Sequence, residues 1–268
     1  MPKPTLLAQL SDVHIGANEN GFDPVPHLEA VVEAVCSLPN LPDAVLVSGD
    51  LTHDGGAPEF RLAREILERL DLPLHVLPGN HDDRALLRKV FDLPGEGGEP
   101  VDYSVDVGDL RLVAFDSNVP GQDPGRYDPE RLRWLDSELG AQPDRPTLLA
   151  MHHPPLATGI REWDGINLEP GQREALTEVV VRHPQLRAIV GGHLHRVAAS
   201  ALAGCPVVSM PSTYLQARPD FESEDVEFVP VAGFAIHALL DGELSSQIEF
   251  LSPEAGFSEP RPRRRGRG

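Results

Sequence analysis

What constrains this chain most is a series of short apolar runs, several of which stop at a block of Asp, His or Asn. Thr5–Leu10 runs into Ser11-Asp12-Val13-His14, Ala44–Ser48 into Gly49-Asp50, and Leu74–Leu77 into Pro78-Gly79-Asn80-His81-Asp82. Further on, Thr147–Met151 leads into His152-His153-Pro154, and Ala188–Val190 into Gly191-Gly192-His193-Leu194-His195. Short apolar runs bounded by Gly and Pro read as buried strands. The stretches between them carry helical periodicity: Pro26–Leu38 puts Leu28, Val31, Val32 and Val35 on one face, and Ala57–Leu70, Arg84–Phe91, Arg131–Leu139 and Arg173–Arg182 follow suit. Gly108-Asp109, Ala203-Gly204 and Asp241-Gly242 read as hairpin turns, giving the pairs Tyr103–Val107 with Leu110–Phe115, Ala198–Leu202 with Pro206–Ser209, and Gly233–Leu240 with Leu244–Phe250. The fold class is therefore α/β with a β-rich end. Arg218–Val229 reads as a polar, acidic loop.

In open α/β sheets, ligands collect at the carboxyl ends of strands. Asp12 and His14, two residues apart on extended backbone, point the same way. Alone, each block has an ordinary reading: Asp after Gly begins a turn, and a His at a strand end is a surface residue. Gly192-His193-Leu194-His195 is the strongest single piece, because the glycines permit close approach to two imidazoles. The blocks gain meaning together, since they fall at successive strand ends and would converge on one spot.

Composition narrows the class. The chain has 268 residues, of which 40% are hydrophobic, enough for one large domain to bury a core without disulfides. Its 2 cysteines, Cys36 and Cys205, exclude a disulfide framework and a thiolate-rich zinc site, and read as buried thiols in a reducing compartment. No stretch approaches the roughly 20 apolar residues of a membrane span, and the amino-terminal apolar run is too short for a signal segment. The expectation is a cytoplasmic protein. A formal net charge of −19 repels nucleic acid and anionic membranes at long range. The opposing feature is the terminal Arg-Pro-Arg-Arg-Arg-Gly-Arg-Gly, whose simplest reading is a solvated tail. The expected organisation is one domain over 1–252 and a disordered Arg-rich tail over 253–268.

The order Asp-x-His, Gly-Asp, Gly-Asn-His, His, Gly-His-x-His resembles the calcineurin-like metallophosphoesterases. Within them, Pro78–Arg84, His152-His153-Pro154-Pro155 and Met210-Pro211-Ser212-Thr213 are similar to the bacterial class III cyclic-nucleotide phosphodiesterase and glycerophosphodiesterase branch. The resemblance implies a four-layer αββα sandwich, two mixed β-sheets flanked by helices, with a dimetal site at the strand ends. It implies Asp12, His14, Asp50 and His195 as ligands of one divalent ion, and Asp50, Asn80, His152 and His193 as ligands of a second. These O and N donors suit Mn, Fe, Zn or Co. Two such ions, two carboxylates and a bridging hydroxide leave a centre of about +1, which attracts a phosphodiester monoanion and supplies the attacking hydroxide. His81 is implied as the catalytic residue that stabilises or protonates the departing alkoxide. Asn80 and His81 are implied to touch substrate; His153 either touches it or orients His152.

The expected function is a phosphodiesterase with a 3′,5′-cyclic nucleotide as favoured substrate. Glycerophosphodiesters and 2′,3′-cyclic nucleotides stay open. A DNA nuclease lacks a basic surface here, and a non-catalytic module would lose ligands. Nothing requires a homodimer, though the β-rich end offers a face for one. Leu156–Glu169 and Arg218–Val229 are expected to set specificity, with Trp163 as a base-stacking, lid or dimer residue. His53 reads as a loop residue, standing where purple acid phosphatases have an iron-binding Tyr. His27, His75, His183 and His237 read as structural or surface residues. Asp54, Asp82 and Asp83 are interchangeable candidates for supporting bonds. In Thr213-Tyr214-Leu215-Gln216, Leu215 replaces a His found in some members of the branch.

Overall fold

The computed structural model describes residues 3–222 and 226–251. In chain order its elements are β1 (Thr5–Leu10), α1 (Pro24–Cys36), β2 (Ala44–Ser48), α2 (Ala57–Leu67), β3 (Leu74–Leu77), α3 (Arg84–Phe91), β4 (Tyr103–Val107) and β5 (Leu110–Ala114). Then come α4 (Pro129–Gly140), β6 (Thr147–Ala150), α5 (Arg161–Ile166), α6 (Gln172–Val180), β7 (Leu186–Gly191), β8 (Ala198–Leu202) and β9 (Cys205–Ser209). The chain closes with β10 (Gln216–Ala217), β11 (Phe228–Val229), β12 (Gly233–Leu240) and β13 (Glu243–Phe250). The Arg-rich tail expected over 253–268 lies outside the described residues. No helix among those described is long and apolar enough to cross a membrane.

Two sheets carry the fold. One runs β13-β12-β1-β2-β3, the other β4-β5-β6-β7-β9-β8. β1, β2 and β3 are parallel, with β12 antiparallel to β1. β5, β6, β7 and β9 are parallel, with β4 and β8 antiparallel at the edges. Strand alternation assigns the layers. Leu7 and Leu46 meet Leu112, Leu148 and Val190 between the sheets. Their neighbours Ala8, Leu10, Val45 and Val47 face Leu28, Val31, Phe60 and Leu87 of α1, α2 and α3. Val113, Leu149 and Ile189 face Leu135, Leu139 and Leu176 of α4 and α6. Both faces of each sheet are thus covered, which is why the strands read as continuous apolar runs rather than alternating ones. The result is the αββα sandwich.

Local chemistry moves several boundaries. α1 begins at Pro24 rather than Pro26, because Asp23 accepts a hydrogen bond from Val25 N and proline suits the first helical turn. α2 ends at Leu67 and continues as a 3-10 turn to Leu70. The expected loop over Arg218–Val229 starts and finishes in a short ladder, Gln216–Ala217 against Phe228–Val229. Cys205 is buried as expected, but Cys36 is exposed, since it ends α1 one position beyond the buried Val35.

The histidines outside the blocks are structural. His27 Nδ1 lies 2.7 Å from Tyr214 O, and His183 Nε2 lies 2.7 Å from Asp136. His75 is half-buried on β3. His237 is fully buried between the sheets, 2.8 Å from Gln9 Oε1 and 2.8 Å from Ser246 Oγ. Burial holds its imidazole down at about 4. A depressed imidazole contributes stability that is present above the unfolded value near 6.5 and is lost as pH falls towards 4. The loss from His237 reaches about 3 kcal/mol at about 1.4 kcal/mol per pH unit. Denaturant titrations between pH 7 and pH 4 should show this loss shrinking in His237→Gln; an unchanged pH profile would remove His237 as its source.

Candidate dimetal site

Five strand ends converge. Asp12 and His14 follow β1, Asp50 follows β2, Asn80 and His81 follow β3, His152 follows β6, and His193 and His195 follow β7. The backbone there is unusual. Asp12 (φ 51°), His14 (51°), Asp50 (50°), His193 (67°) and His195 (48°) all lie in the left-handed region. That conformation is uncommon for residues other than glycine, and it persists where surrounding structure enforces it. The other such residues, Asp71, Asp92, Ala203 and Asp241, sit in turns or at helix ends, where it is ordinary. At the site, the kink turns each side chain from the strand direction into the shared centre.

The donors form two overlapping groups with Asp12 in both. Asp12, His14 and His195 present atoms within 4.8 Å of one another, and so do Asp12, Asp50 and His152. His14 Nε2 is 2.9 Å from His195 Nε2. Asn80 Oδ1 lies 3.1 Å from His152 Nε2 and 3.0 Å from His193 Nδ1. Asp50 Oδ2 stands between two imidazoles, 3.6 Å from His14 Nε2 and 3.2 Å from His152 Nε2.

Three observations fit this cluster to cations. First, Asp12 Oδ2 is buried without a hydrogen-bond partner, and a buried carboxylate oxygen requires compensation. Second, the outward nitrogen of three imidazoles is held by a backbone carbonyl: His152 Nδ1 by Ser48 O (2.9 Å), His193 Nε2 by Ile166 O (2.9 Å) and His195 Nδ1 by Leu215 O (3.1 Å). Each bond fixes the tautomer that leaves a lone pair facing the centre. Third, the field favours positive charge. Burial pulls His152 down, yet the charges and hydrogen bonds of Asp50 and Asp12 push it up to about 9. Burial opposes ionisation of Asp50, but His152, with His14 and His81, holds it well below the usual carboxylate range. Burial lowers His14 and His193, the latter to about 3, leaving neutral imidazoles suited to ligation.

His81 sits beside the two groups that hold Asp12 and forms a further one with His14 and His53. Its Nδ1 is held by His53 O at 2.7 Å, so Nε2 is the nitrogen left for a substrate, and its own N–H donates to Asp50 Oδ1 at 3.0 Å. His53 is closer to the chemistry than its loop position suggests. Its ring stacks on that of His81 with centroids 5.2 Å apart. Its spacing, three residues after Asp50, was the available signal. His153 is placed differently from a substrate contact. It is fully buried, with Nδ1 at 2.8 Å from Ser117 Oγ and Nε2 at 2.9 Å from Asp123 O, and it packs on the rings of His152 and His193. Both its nitrogens are committed to the protein, so it supports the ligands instead.

Among the three aspartates left open, Asp82 is the supporting one. It accepts from Leu51 N, Thr52 N, Thr52 Oγ1 and Gly79 N, tying the turn after β2 to the turn after β3. Burial and the Asp50 charge push it up to about 6. Asp83 caps α3 through Leu86 N, and Asp54 is exposed. A sixth strand end went unread in the sequence. After β5, Asp116 pairs with buried Arg84, while Asn118 Nδ2 donates to Gly79 O and Asp82 O. Gly79 itself touches the Asp50 carboxylate so closely that an added Cβ would overlap it. Gly79→Ala should therefore displace Asp50 and lower bound metal to at most one ion per chain, measured by elemental analysis; two retained ions would refute the close-approach argument.

Two cavities open onto the centre, of about 270 Å³ and about 220 Å³. Trp163, on α5, lines the first, and Leu215 lines the second. α5 was not foreseen within Leu156–Glu169, because its six residues are too few to show periodicity.

An αββα sandwich that carries an oxygen- and nitrogen-donor cluster at its strand ends fits the class of metal-dependent hydrolases. The family model for calcineurin-like phosphoesterases matches residues 5–197, and the chain belongs to that family. It is 35% identical over 219 residues to the glycerophosphodiester phosphodiesterase GpdQ of Enterobacter lignolyticus, covering 79% of this chain and 78% of that one. It is 33% identical over 218 residues to the 3′,5′-cyclic adenosine monophosphate phosphodiesterase CpdA of Pseudomonas aeruginosa, covering 80% and 78%. Its fold is similar to that of purple acid phosphatase PPD1 from yellow lupin, with TM-score 0.70 and 15% identity over 92% of this chain and 52% of the other.

Proposed function

We propose that this chain hydrolyses a phosphodiester at the dimetal site, with a 3′,5′-cyclic nucleotide such as cAMP as the favoured substrate. The observation that carries the phosphodiesterase reading is the position of Asp50 Oδ2 between His14 and His152, with His81 alongside at the cavity wall. The cyclic-nucleotide choice draws support from the relative named for cAMP. The alternative is a glycerophosphodiester, drawn from the relative named for that activity.

In this reading Asp12, His14, Asp50 and His195 hold one divalent ion, and Asp50, Asn80, His152 and His193 the other. Mn, Fe, Zn and Co all match these donors. Such a pair supplies a nucleophile from water and neutralises the phosphoryl oxygens. The chain's own residues do the rest. The carbonyls of Ser48, Ile166 and Leu215 keep three imidazoles in the ligating tautomer. The His53 carbonyl holds Nδ1–H of His81, so that a proton carried on Nε2 can pass to the departing alkoxide oxygen. Asp82 and Asn118 keep the turn bearing Asn80 and His81 in register with Asp50.

The test is hydrolysis of bis(p-nitrophenyl) phosphate against p-nitrophenyl phosphate, on chelated protein resupplied with Mn²⁺. Metal-dependent preference for the diester is expected, followed by turnover of 3′,5′-cAMP above 2′,3′-cAMP and glycerophosphoethanolamine. Preference for the monoester would overturn the phosphodiesterase reading. Preference for glycerophosphoethanolamine would overturn the choice of substrate.

A further inference from the structure

The space over the dimetal site has two lobes. Asp123, Trp163 and Ile166 wall one lobe, and Ala17, Glu19 and Tyr214 the other. His14, His81, His195 and Phe228 belong to both, so a diester centred there has one lobe for each arm. Among the described residues, neither lobe is lined by a Lys or an Arg. Apart from Asp50 and the histidines, the charged residues lining them are Asp123 and Glu19, one in each. Both are exposed, and neither carboxylate has a partner among the described residues. A nearby cation, Arg196, is built into the wall: its guanidinium lies 5.4 Å from the Trp163 ring centroid and donates to Ala217 O. Among the described residues of the segment after Ala217, Asp220, Glu222 and Glu227 stand against one Arg218.

We infer that Asp123 and Glu19 are specificity-determining residues that reject diesters carrying a further negative charge on either arm and accept uncharged or hydrogen-bond-donating arms. This rests on the phosphodiesterase reading above. Two divalent ions, a hydroxide and the carboxylates of Asp12 and Asp50 would leave the centre about one unit positive, so one phosphodiester monoanion would neutralise it. A second anion on an arm then meets a carboxylate without compensation. At roughly 8 Å and an effective dielectric between about 20 and 80, that repulsion amounts to a few-fold to about thirtyfold in binding. Polynucleotides and nucleotides with a terminal phosphate fall on the rejected side.

The test uses two p-nitrophenyl phosphodiesters that differ in charge alone, with a 3-carboxypropyl or a 3-carbamoylpropyl second arm, on the full chain loaded with Mn²⁺. The carbamoyl substrate should be preferred about tenfold in kcat/KM at low ionic strength, and the preference should shrink as salt screens the rim. Asp123→Asn combined with Glu19→Gln should bring the ratio to about twofold or less. Equal hydrolysis of both substrates by the unsubstituted chain, or an undiminished ratio in the double variant, would overturn the inference. If the double variant does not fold, the salt series on the unsubstituted chain decides alone. Failure to cleave bis(p-nitrophenyl) phosphate as well would locate the fault in the phosphodiesterase reading, and the inference would fall with it.

Discussion

Asp50→Ala should lose both metal ions and at least about 10³-fold in turnover of bis(p-nitrophenyl) phosphate, since a bridged ion pair contributes several kcal/mol at about 1.4 kcal/mol per tenfold. The carboxylate has three tasks. Oδ2 lies within 3.6 Å of His14 Nε2 and 3.2 Å of His152 Nε2, one nitrogen in each donor group. Oδ1 accepts from His81 N and so ties the catalytic turn to the ligand cluster. Its charge also helps push His152 up to about 9. Elemental analysis after desalting reads the metal content. A second readout is thermal: Mn²⁺ that binds the folded chain raises its melting temperature by mass action, and the variant should lose that rise. Asp50→Asn separates the parts, because it keeps an oxygen for His81 N and removes the charge. Two retained ions with full turnover in Asp50→Ala would refute the shared-ligand geometry.

His81→Ala should cut turnover of an alkyl diester or cyclic nucleotide by about 10²–10⁴-fold with metal content unchanged. The imidazole lines both lobes, and its Nδ1 is engaged by the His53 carbonyl, leaving Nε2 for the leaving oxygen. The leaving group supplies the diagnostic. A ribose or glycerol alkoxide needs the proton, whereas p-nitrophenoxide departs without it, so the deficit should nearly vanish for bis(p-nitrophenyl) phosphate. Equal deficits on both kinds of substrate would reduce His81 to a spectator of the chemistry. Loss of metal in the variant would overturn the catalytic assignment, since the backbone bond from His81 N to Asp50 survives the substitution.

Strand periodicity and Gly-bounded apolar runs place Asp12, His14, Asp50, Asn80, His152, His193 and His195 at strand ends, and the resemblance carried by those blocks singled them out as candidate ligands. The positions are local properties of the chain. His81, one residue after Asn80, was singled out by the same resemblance. The supporting bonds were not. Asp54, Asp82 and Asp83 look alike in sequence, and only the packing of the turn after β2 against the turn after β3 selects Asp82. Asn118 and Asp116 follow β5 without any neighbouring His to flag them, yet they brace Gly79 and Arg84 across 30 or more residues. Ile166 holds His193 through a carbonyl, and a backbone oxygen carries no residue-type signal.

His153 shows the difference most clearly. The His152-His153 pair is symmetrical on paper, but consecutive residues leaving a strand point to opposite sides. His152 reaches Asp50, while His153 turns to Ser117 and the Asp123 carbonyl. By itself, short-range periodicity determined the α/β layering and the strand ends, because it encodes burial and direction; the identity of the donors came from the resemblance carried by the blocks at those ends. The tertiary structure alone decided which side chains stand beside Asp50 and at what distance, which backbone atoms fix each tautomer, and which carboxylates rim the two lobes. Those are contacts between segments far apart in the chain, made only when the two sheets stack.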